Sequence, residues 1–255
     1  MNCICGQSAI SERNLCQDHF LEWFEQAVNA TIDEYAMIKS GERVLVAASG
    51  GKDSLTILDI ISKRATCTAL CIDEGLAGYR EHTIEDLKKF CAERNIELLI
   101  KTFKEERGFT MDEKNPKHPC TTCGIGRRDI MASVAKEYDV IATGHNLDDE
   151  AQAIMMNIMK HHAMKPQPVL AGNEHFSRRV KPLYFMPEAD IRRYAYLKDL
   201  VSGFTECKNA HLSHRRAIQH FLENREREAP GTKEKLVRKY IDWVSRTSQD
   251  HQVRT

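Results

Sequence analysis

The chain has 255 residues, 42% of them hydrophobic, and its 37 Lys and Arg balance 37 Asp and Glu. This length allows one large domain or one medium domain with appendages, and the hydrophobic share is sufficient for a core. No run approaches the roughly 18 to 20 apolar residues of a membrane span, and two cysteines lie where a signal peptide would need an apolar run, so we expect a soluble, cytoplasmic protein.

The charges are unevenly distributed along the chain. Residues 176–255 carry 17 Lys and Arg against 10 Asp and Glu, whereas residues 1–175 carry 20 against 27. A basic final third beside an acidic remainder suits a polyanion, such as a nucleic acid, lying along one edge of the molecule. The same residues could equally form a solvated helical surface, so charge alone leaves the partner open.

The first 38 residues predict a metal knuckle followed by a connecting helix. So few residues cannot bury a core of their own, and their soft side chains have a spacing typical of zinc sites. The four ligands would be Cys3, Cys5, Cys16 and His19. The single residue between Cys3 and Cys5 is a tight spacer, so the alternative is one free thiol and another group completing the site. Apolar residues then recur at helical spacing from Phe20 to Ile38.

A glycine-rich turn lies between a predicted strand at 44–48 and a predicted helix at 54–64. The turn consists of Ser49, Gly50, Gly51, Lys52, Asp53 and Ser54. Such a turn points backbone N–H groups and the positive end of the helix dipole at one spot, where a phosphate is stabilised, and Lys52 adds a positive charge. The spacing is not that of a Walker A loop. A plain turn that binds nothing is the alternative.

Strands and helices then alternate, which predicts an α/β fold whose parallel sheet is covered by helices on both faces. Further strands are predicted at 67–73, 96–103 and 140–143, and further helices at 81–94, 124–137 and 148–160. Ligands bind at the carboxyl ends of such strands. Asp73 ends the second strand, where an adenine or ribose would lie, and Gly144 and His145 follow the fourth.

Two adjacent carboxylates, Asp148 and Asp149, come shortly after His145 at a predicted helix start. Capping the helix is the ordinary role of carboxylates in this position. Beside a nucleotide they would instead hold Mg²⁺ or orient the reacting groups.

Nine cysteines in a cytosolic chain favour metal ligands or reactive thiols over disulfides. Cys120 and Cys123 lie near a predicted helix N-terminus, with Arg127 one turn on, and this setting favours thiolates that attack, form a disulfide or hold a metal. With Cys207 they form a trio without a fourth partner, which suits an iron-sulfur cluster with one open iron. Alone, Cys207 would be an ordinary cysteine. The others are predicted core residues, namely Cys67, Cys71 and Cys91.

Beyond Pro166 the pattern becomes mainly helical, with helices predicted at 187–200, 211–227 and 232–246. Four motifs now occur in order: SGGKDS at 49–54, PCTTCG at 119–124, GHNLDDEAQ at 144–152, and Cys207 followed by an Arg-bearing helix and APGTK at 229–233. Together with the knuckle, they resemble the tRNA 2-thiouridine synthetase family of the PP-loop ATP-pyrophosphatase superfamily, over nearly the whole chain.

The resemblance implies an ATP-dependent tRNA sulfurtransferase. In such enzymes ATP is split between its α and β phosphates with Mg²⁺, uridine O2 is adenylated, and sulfur then replaces it at C2. The resemblance implies that sulfur arrives on the open iron of a 4Fe-4S cluster held by Cys120, Cys123 and Cys207. It also gives Arg127 a phosphate contact and Asp148 a supporting role in adenylation. The nucleotide-binding residues it implies are 49–54, Asp73, Gly144 and His145.

The resemblance further implies tRNA as partner, a sulfur donor that is a ubiquitin-like thiocarboxylate protein or free sulfide, and a homodimer. Whether the wobble or the T-loop uridine is modified stays open. We predict three regions: the zinc knuckle and connecting helix at 1–38, a PP-loop ATP-binding catalytic domain at 39–170, and a helical basic region at 171–255 that contributes Cys207 and the tRNA contacts.

The chain departs from the family pattern in three places. No cysteine follows Cys207 in this sequence, whereas the family typically carries a second, C-terminal zinc finger of paired C-x-x-C motifs. Lys208 and Asn209 replace a Pro-Tyr pair, and residues 159–162 replace Leu-Arg-Gly-Asp. We therefore expect tRNA contacts to shift to Arg215, Arg216, Arg225 and Arg227. The alternatives are a PP-loop enzyme that uses a nitrogen nucleophile on another acceptor, and a non-catalytic scaffold that binds ATP and tRNA.

Overall fold

The computed structural model describes residues 2–79, 81–160, 166–173, 177–201, 203, 207–209 and 215–252. Its centre is a six-stranded sheet with the strand order β3-β2-β1-β4-β6-β5. All neighbouring strands are parallel except β5 and β6. The strands are β1 Val44–Ala47, β2 Cys67–Asp73, β3 Glu97–Thr102, β4 Val140–Thr143, β5 Val169–Leu170 and β6 Arg178–Val180.

Helices connect these strands and continue beyond the sheet. They are α1 Gln17–Glu34, α2 Lys52–Ser62, α3 Glu81–Glu93, α4 Phe103–Arg107, α5 Met111–Lys114, α6 Pro119–Val134, α7 Leu147–Lys160, α8 Glu188–Leu197, α9 Arg215–Glu228 and α10 Thr232–Gln252, with a 3-10 turn at Ala135–Glu137. None of the helices in the described ranges is both long and apolar enough to cross a membrane.

Both faces of the sheet are buried, as the continuous apolar strands require. In β1, Val44 and Val46 point into a core shared with α1, α2, α3 and α8, whereas Leu45 points into a second core shared with α6. This alternation follows from the two-residue period of a strand. The predicted α/β class, with its N-terminal knuckle and helical C-terminal region, is confirmed.

The structure adds two short strands to the sequence prediction and moves the start of one helix. The region beyond Pro166 contains β5 and β6 as well as helices, because strands of two and three residues are too short to show a period. Helix α6 begins at Pro119 instead of residue 124, since Pro fits the first helical turn. Part of the predicted helix at 211–227 lies outside the described residues, as do residues 161 and 162.

The topology brings three chain segments to one edge of the sheet. The glycine-rich turn follows β1, Asp73 ends β2, and Gly144 and His145 follow β4, and these three strands are neighbours in the order β2-β1-β4. The carboxyl ends of parallel strands all lie at the same edge, so these segments meet there.

Candidate functional site

The turn at 49–54 is preorganised by its own hydrogen bonds. The Ser54 hydroxyl accepts from the Ser49 backbone N–H at 3.1 Å and donates to the Gly51 carbonyl at 2.9 Å. Gly50 has φ +77°, and a Cβ there would lie 1.9 Å from the Thr83 carbonyl oxygen, so only glycine fits. Gly51 caps α2, whose first N–H groups therefore lie at the turn.

Lys52 is held between two carboxylates at the start of α2. Its Nζ lies 2.9 Å from Asp53 Oδ2 and 3.0 Å from Glu188 Oε1, and only 14% of its side chain is exposed. Burial acts to lower the pKa of Lys52, but the attraction of Asp53 and Glu188 outweighs it and raises the pKa above its ordinary value. The ammonium group is therefore fully charged and fixed in place where a phosphate would bind.

Asn146 joins the turn to the segment after β4. Its side-chain amide donates to Asp53 Oδ1 at 3.0 Å, and its side-chain oxygen accepts from the Asp149 backbone N–H at 3.0 Å. Gly144 lies against the same residue, since a Cβ there would be 3.1 Å from the Asp53 carbonyl carbon. Burial raises the pKa of both Asp53 and Asp149 above ordinary values, so their charges depend on these polar partners.

Each acidic residue at the start of α7 has a basic partner from later in the chain. Asp148 pairs with Lys233 of α10 and accepts from the Glu188 backbone N–H at 2.8 Å. Asp149 lies 3.2 Å from Arg215 of α9, and Glu150 lies 2.8 Å from Lys181. Sequence patterns gave no sign of these pairings, because the partners lie 31 to 85 residues apart.

His145 lies in a positively charged environment at the end of β4. Its Nδ1 is 3.0 Å from the Thr143 hydroxyl. The surrounding protein removes part of its hydration, and Lys181, Arg215, Arg179 and Arg127 add repulsion, which together lower its pKa to about 4. The imidazole is thus neutral near pH 7, although His145 is exposed to solvent. The positive field is suited to an anionic ligand.

Three cysteines line one cavity of about 180 Å³, although they come from two distant parts of the chain. Cys120 and Cys123 lie in the first turns of α6, and Cys207 lines the same cavity from a segment much later in the chain. The Cys120 thiol is 3.7 Å from the Asn209 carbonyl oxygen. Lys208 is fixed by an ion pair with Asp112 at 2.6 Å, which holds the Cys207 segment against this cavity.

Two further side chains of the cavity are ionic. The buried Glu74 carboxylate lies 3.9 Å from the Cys123 thiol and 3.5 Å from Arg127 Nε. Arg127 is therefore placed beside the cysteines, where it offsets negative charge. Three thiols without a fourth Cys or His among the described residues lining the cavity fit a cluster with one open iron.

Asp73, at the end of β2, accepts a hydrogen bond from the Gly75 backbone N–H at 2.8 Å and shapes the turn that follows the strand.

The N-terminal ligands converge as the sequence predicted. All four ligand atoms of Cys3, Cys5, Cys16 and His19 lie within 4.8 Å of one another, which fits a single tetrahedral ion. The Cys3 thiol is 3.1 Å from His19 Nδ1, and the Cys5 and Cys16 sulfurs are 3.6 Å apart. Hydrogen bonds from the backbone at Cys5 and Cys16 lower the pKa of Cys3 to about 6, which favours the metal-binding thiolate.

Comparison with known proteins gives consistent matches. A model of the PP-loop domain family matches residues 16–225. The chain is 34% identical to the tRNA-5-methyluridine(54) 2-sulfurtransferase of Thermus thermophilus, over 94% of this chain and 79% of that protein. It is 32% identical to the tRNA 2-thiolation protein NcsA of Haloferax volcanii, over 97% of this chain and 88% of that protein.

Eukaryotic and structural relatives agree. The chain is 33% identical to the cytoplasmic tRNA 2-thiolation protein 1 of Chlamydomonas reinhardtii, over 95% of this chain and 72% of that protein. Among solved structures it is similar to the U34-tRNA thiolase NcsA of Methanococcus maripaludis with its [4Fe-4S] cluster, with a TM-score of 0.84 and 30% identity, over 96% of this chain and 87% of that chain.

Proposed function

Because the chain belongs to the PP-loop family of tRNA 2-thiolation proteins, we propose that it is an ATP-dependent tRNA-uridine 2-sulfurtransferase. One observation carries the proposal: Cys120, Cys123 and Cys207 line a single cavity near the carboxyl end of β2, the neighbour of β1 and its glycine-rich turn. A thiol-lined cavity near the end of one strand and a phosphate-binding turn at the end of its neighbour are what joint activation and sulfur transfer require.

ATP binding would use the turn after β1. Residues 49–54 would bind the phosphates through the N–H groups at the start of α2 and the ammonium of Lys52, since both present positive charge at one point. Asp73, Gly144 and His145 would border the nucleotide, and Arg127 would contact a phosphate. Asp53 and Asp149 offer carboxylate oxygens of the kind that Mg²⁺ prefers.

The chemistry would proceed in two displacements. Uridine O2 attacks the α-phosphorus of ATP, the bond to the β-phosphate oxygen breaks, and pyrophosphate leaves. Sulfide, supplied free or released by hydrolysis of a thiocarboxylate, then adds at C2, and the C2–O2 bond breaks so that AMP leaves with the former O2. Asp148, fixed by Lys233, would support adenylation by holding the Glu188 backbone in place. Cys120, Cys123 and Cys207 would hold a 4Fe-4S cluster, which supplies an open iron for carrying sulfur.

The remaining assignments belong to the same proposal. Zinc at Cys3, Cys5, Cys16 and His19 would stabilise region 1–38, region 39–170 would be the catalytic domain, and region 171–255 would contribute Cys207 and tRNA contacts. The protein would act in the cytoplasm, as the names of eukaryotic relatives suggest. Sulfur would come from a thiocarboxylate protein or free sulfide, and the protein would form a homodimer.

The proposal is tested by anaerobic purification followed by nucleoside mass spectrometry of tRNA. We expect iron-sulfur absorption, and we expect 2-thiouridine to form with ATP, Mg²⁺ and sulfide while AMP and pyrophosphate are released. Cys207→Ser should abolish both the cluster absorption and thiolation. Cys67→Ala is the matched control, because Cys67 is buried in β2 away from the cavity lining.

Three outcomes would contradict the proposal. Thiolation that persists in Cys207→Ser would show that the cysteine trio is not needed. AMP release that requires an amine and yields no thiolated nucleoside would instead indicate a nitrogen nucleophile. ATP binding without any AMP release in the presence of tRNA would indicate a scaffold.

A further inference from the structure

Glu188 places a carboxylate in the proposed phosphate-binding position. It is the first residue of α8, far from the glycine-rich turn in sequence, yet its Oε1 lies 3.0 Å from Lys52 Nζ. We infer that Glu188 is a positioning residue for Lys52. The Glu188 carboxylate takes the place of an ATP phosphate until the nucleotide binds. This inference rests on the proposed function, because it assumes that Lys52 binds ATP.

The position of Glu188 is fixed by contacts on several sides. Its backbone N–H donates to Asp148 Oδ2 at 2.8 Å, and its carboxylate also lies 3.4 Å from Arg192. Burial would raise the pKa of Glu188, but Lys52 and Arg192 lower it below its ordinary value. The side chain therefore stays ionised, and Lys52 has an anionic partner before any nucleotide binds.

An incoming triphosphate must change this arrangement. Its oxygens would share the Lys52 ammonium group with Glu188, and two anions close to one cation repel each other. Lys52 then passes from the carboxylate to the phosphate. Glu188 therefore lowers the affinity for ATP, and at the same time it holds the Lys52 side chain extended, so that ATP binds to a preorganised cation.

The exchange would also be transmitted to other elements. Helix α8 packs against α1 and α2, and the Glu188 backbone is tied through Asp148 to Lys233 of α10. Release of the Glu188 carboxylate thus alters a contact that reaches the basic C-terminal helices. Asp148 and Lys233 are 13% and 14% exposed, so their own pairing is shielded from solvent.

The experiment is calorimetric titration of the full-length protein with Mg-ATP, and separately with pyrophosphate, in the absence of tRNA. For Glu188→Gln we expect Kd to fall about three- to tenfold for both ligands, since one competing charge is lost from a partly exposed pair. Glu188→Asp retains the charge but is one methylene shorter, and we expect its Kd to lie between the two. The melting temperature of each variant verifies folding.

The matched control is Glu234→Gln. Glu234 is also in the first turn of a helix and pairs with Arg238 at i,i+4, just as Glu188 pairs with Arg192. Among the described residues Glu234 has no ion pair or hydrogen bond with the turn at 49–54, so its replacement should leave Kd for ATP unchanged. A kinetic readout adds to this: Glu188→Gln should lower KM for ATP in pyrophosphate exchange more than it changes kcat.

A double-mutant cycle with Lys52→Gln makes the inference specific. If Glu188 acts through Lys52, Glu188→Gln should have no effect on Kd in the Lys52→Gln background. An effect of equal size in both backgrounds would overturn the inference, as would weaker or unchanged ATP binding by folded Glu188→Gln. Absence of ATP binding by the unmodified protein would contradict the proposed function as well, whereas the other outcomes would not.

Discussion

At the scale of single residues, His145 shows how a charged environment sets a protonation state. The histidine is surrounded by cationic side chains, and its pKa is lowered from 6.5 to about 4 by lost hydration and by these charges. A neutral imidazole can accept a hydrogen bond or donate one, and it adds no positive charge of its own. His145 therefore adds no charge to the site in the neutral pH range.

This state predicts a defined pH dependence of stability. Between about pH 6.5 and 4 the unfolded chain binds a proton at His145 and the folded chain does not, so the free energy of unfolding falls as pH falls through this window. His145→Gln should remove that part of the slope. The imidazole signals, followed by NMR during an acid titration, check the assignment, and a His145 signal that titrates near pH 6.5 would contradict it.

The residues that sequence reasoning could identify carry a local pattern. Lys52 lies in a glycine-rich turn between a strand and a helix, and the N-terminal ligands lie close together in sequence, so spacing alone indicated their roles. Glu188 and Arg215 have no such pattern. Their importance depends on which segment lies beside Lys52 or Asp149 in space, and this depends on the packing of helices that come much later in the chain.

At the scale of elements, an ionic cluster around the buried Asp59 joins α1, α2 and α8 to Arg94, the residue that follows α3. Asp59 of α2 lies 2.9 Å from Lys63 and 3.2 Å from Arg94, and the Tyr194 hydroxyl of α8 is 2.7 Å from it. The same hydroxyl is 2.7 Å from Glu25 of α1. The Tyr194 hydroxyl has one proton and donates one full hydrogen bond, which cannot satisfy both carboxylates. The cations beside Asp59 and Glu25 are therefore needed to balance the two negative charges.

We predict that Asp59→Asn destabilises the fold by about 2 kcal/mol at pH 7, because Lys63 and Arg94 then lose their buried counter-charge. Burial acts to raise the pKa of Asp59, but Lys63 and Tyr194 lower it below 3.8. The stabilisation is therefore present above pH 3.8 and is lost as pH falls through the lowered pKa, and the two proteins should converge in acid.

Urea unfolding of both proteins across this pH range measures the difference. Tyr194→Phe is the control, since it removes a hydroxyl but leaves the ion pairs, and it should cost less than Asp59→Asn. A constant difference between wild type and Asp59→Asn down to strong acid would show that charge is not the cause.

The stability of the N-terminal knuckle depends on its four proposed metal ligands. Its backbone hydrogen bonds are few, and its buried side chains include Cys3 and Cys16 themselves. If zinc binds there, removing it with a chelator should lower the melting temperature by roughly 5 °C or more, because the ion contributes folding energy directly. Cys16→Ser should have a low melting temperature that the chelator no longer changes. Equal chelator effects on both proteins would place the metal elsewhere.

The predicted elements differ from the observed ones where an element is too short to show a hydrophobic period, or where a capping residue defines a short helix. Strands β5 and β6 have two and three residues and are defined by their pairing, of β6 with β4 and of β5 with β6. Helices α4 and α5 have five and four residues and are defined by the caps Thr102 and Thr110. The long alternating elements, by contrast, carried enough periodicity to be assigned from sequence.

At the scale of the whole molecule, part of the basic charge of the C-terminal region is directed inward. Asp148, Asp149 and Glu150 have basic partners in Lys233, Arg215 and Lys181. The net +7 of residues 176–255 therefore does not all face a nucleic acid. It also attaches α9 and α10 to the acidic start of α7, next to the proposed ATP site.

Two arginines that are neighbours in sequence differ in whether they pair with the acidic start of α7. Arg215 contacts Asp149, while Arg216 is exposed on α9 and has no ion pair within the described part of the chain. If α9 contacts tRNA, Arg216 is available to a phosphate, and Arg215 is occupied by the carboxylate. Arg225 and Arg227 lie between these cases, with partners at Glu228 and Asn224 that are themselves exposed.

We predict that Arg216→Ala weakens tRNA binding and reduces the slope of log Kd against log salt by about one, while ATP binding is unchanged. Arg215→Ala should instead weaken ATP binding or adenylation, because Asp149 loses its counter-charge and its hydrogen-bonded link to Asn146 and Asp53 is disturbed. Filter binding of tRNA at several salt concentrations and calorimetry with ATP separate the two effects. If both variants behaved alike in both assays, the pairing with Asp149 would not distinguish the arginines, and the whole of α9 would have to be regarded as one tRNA-binding surface.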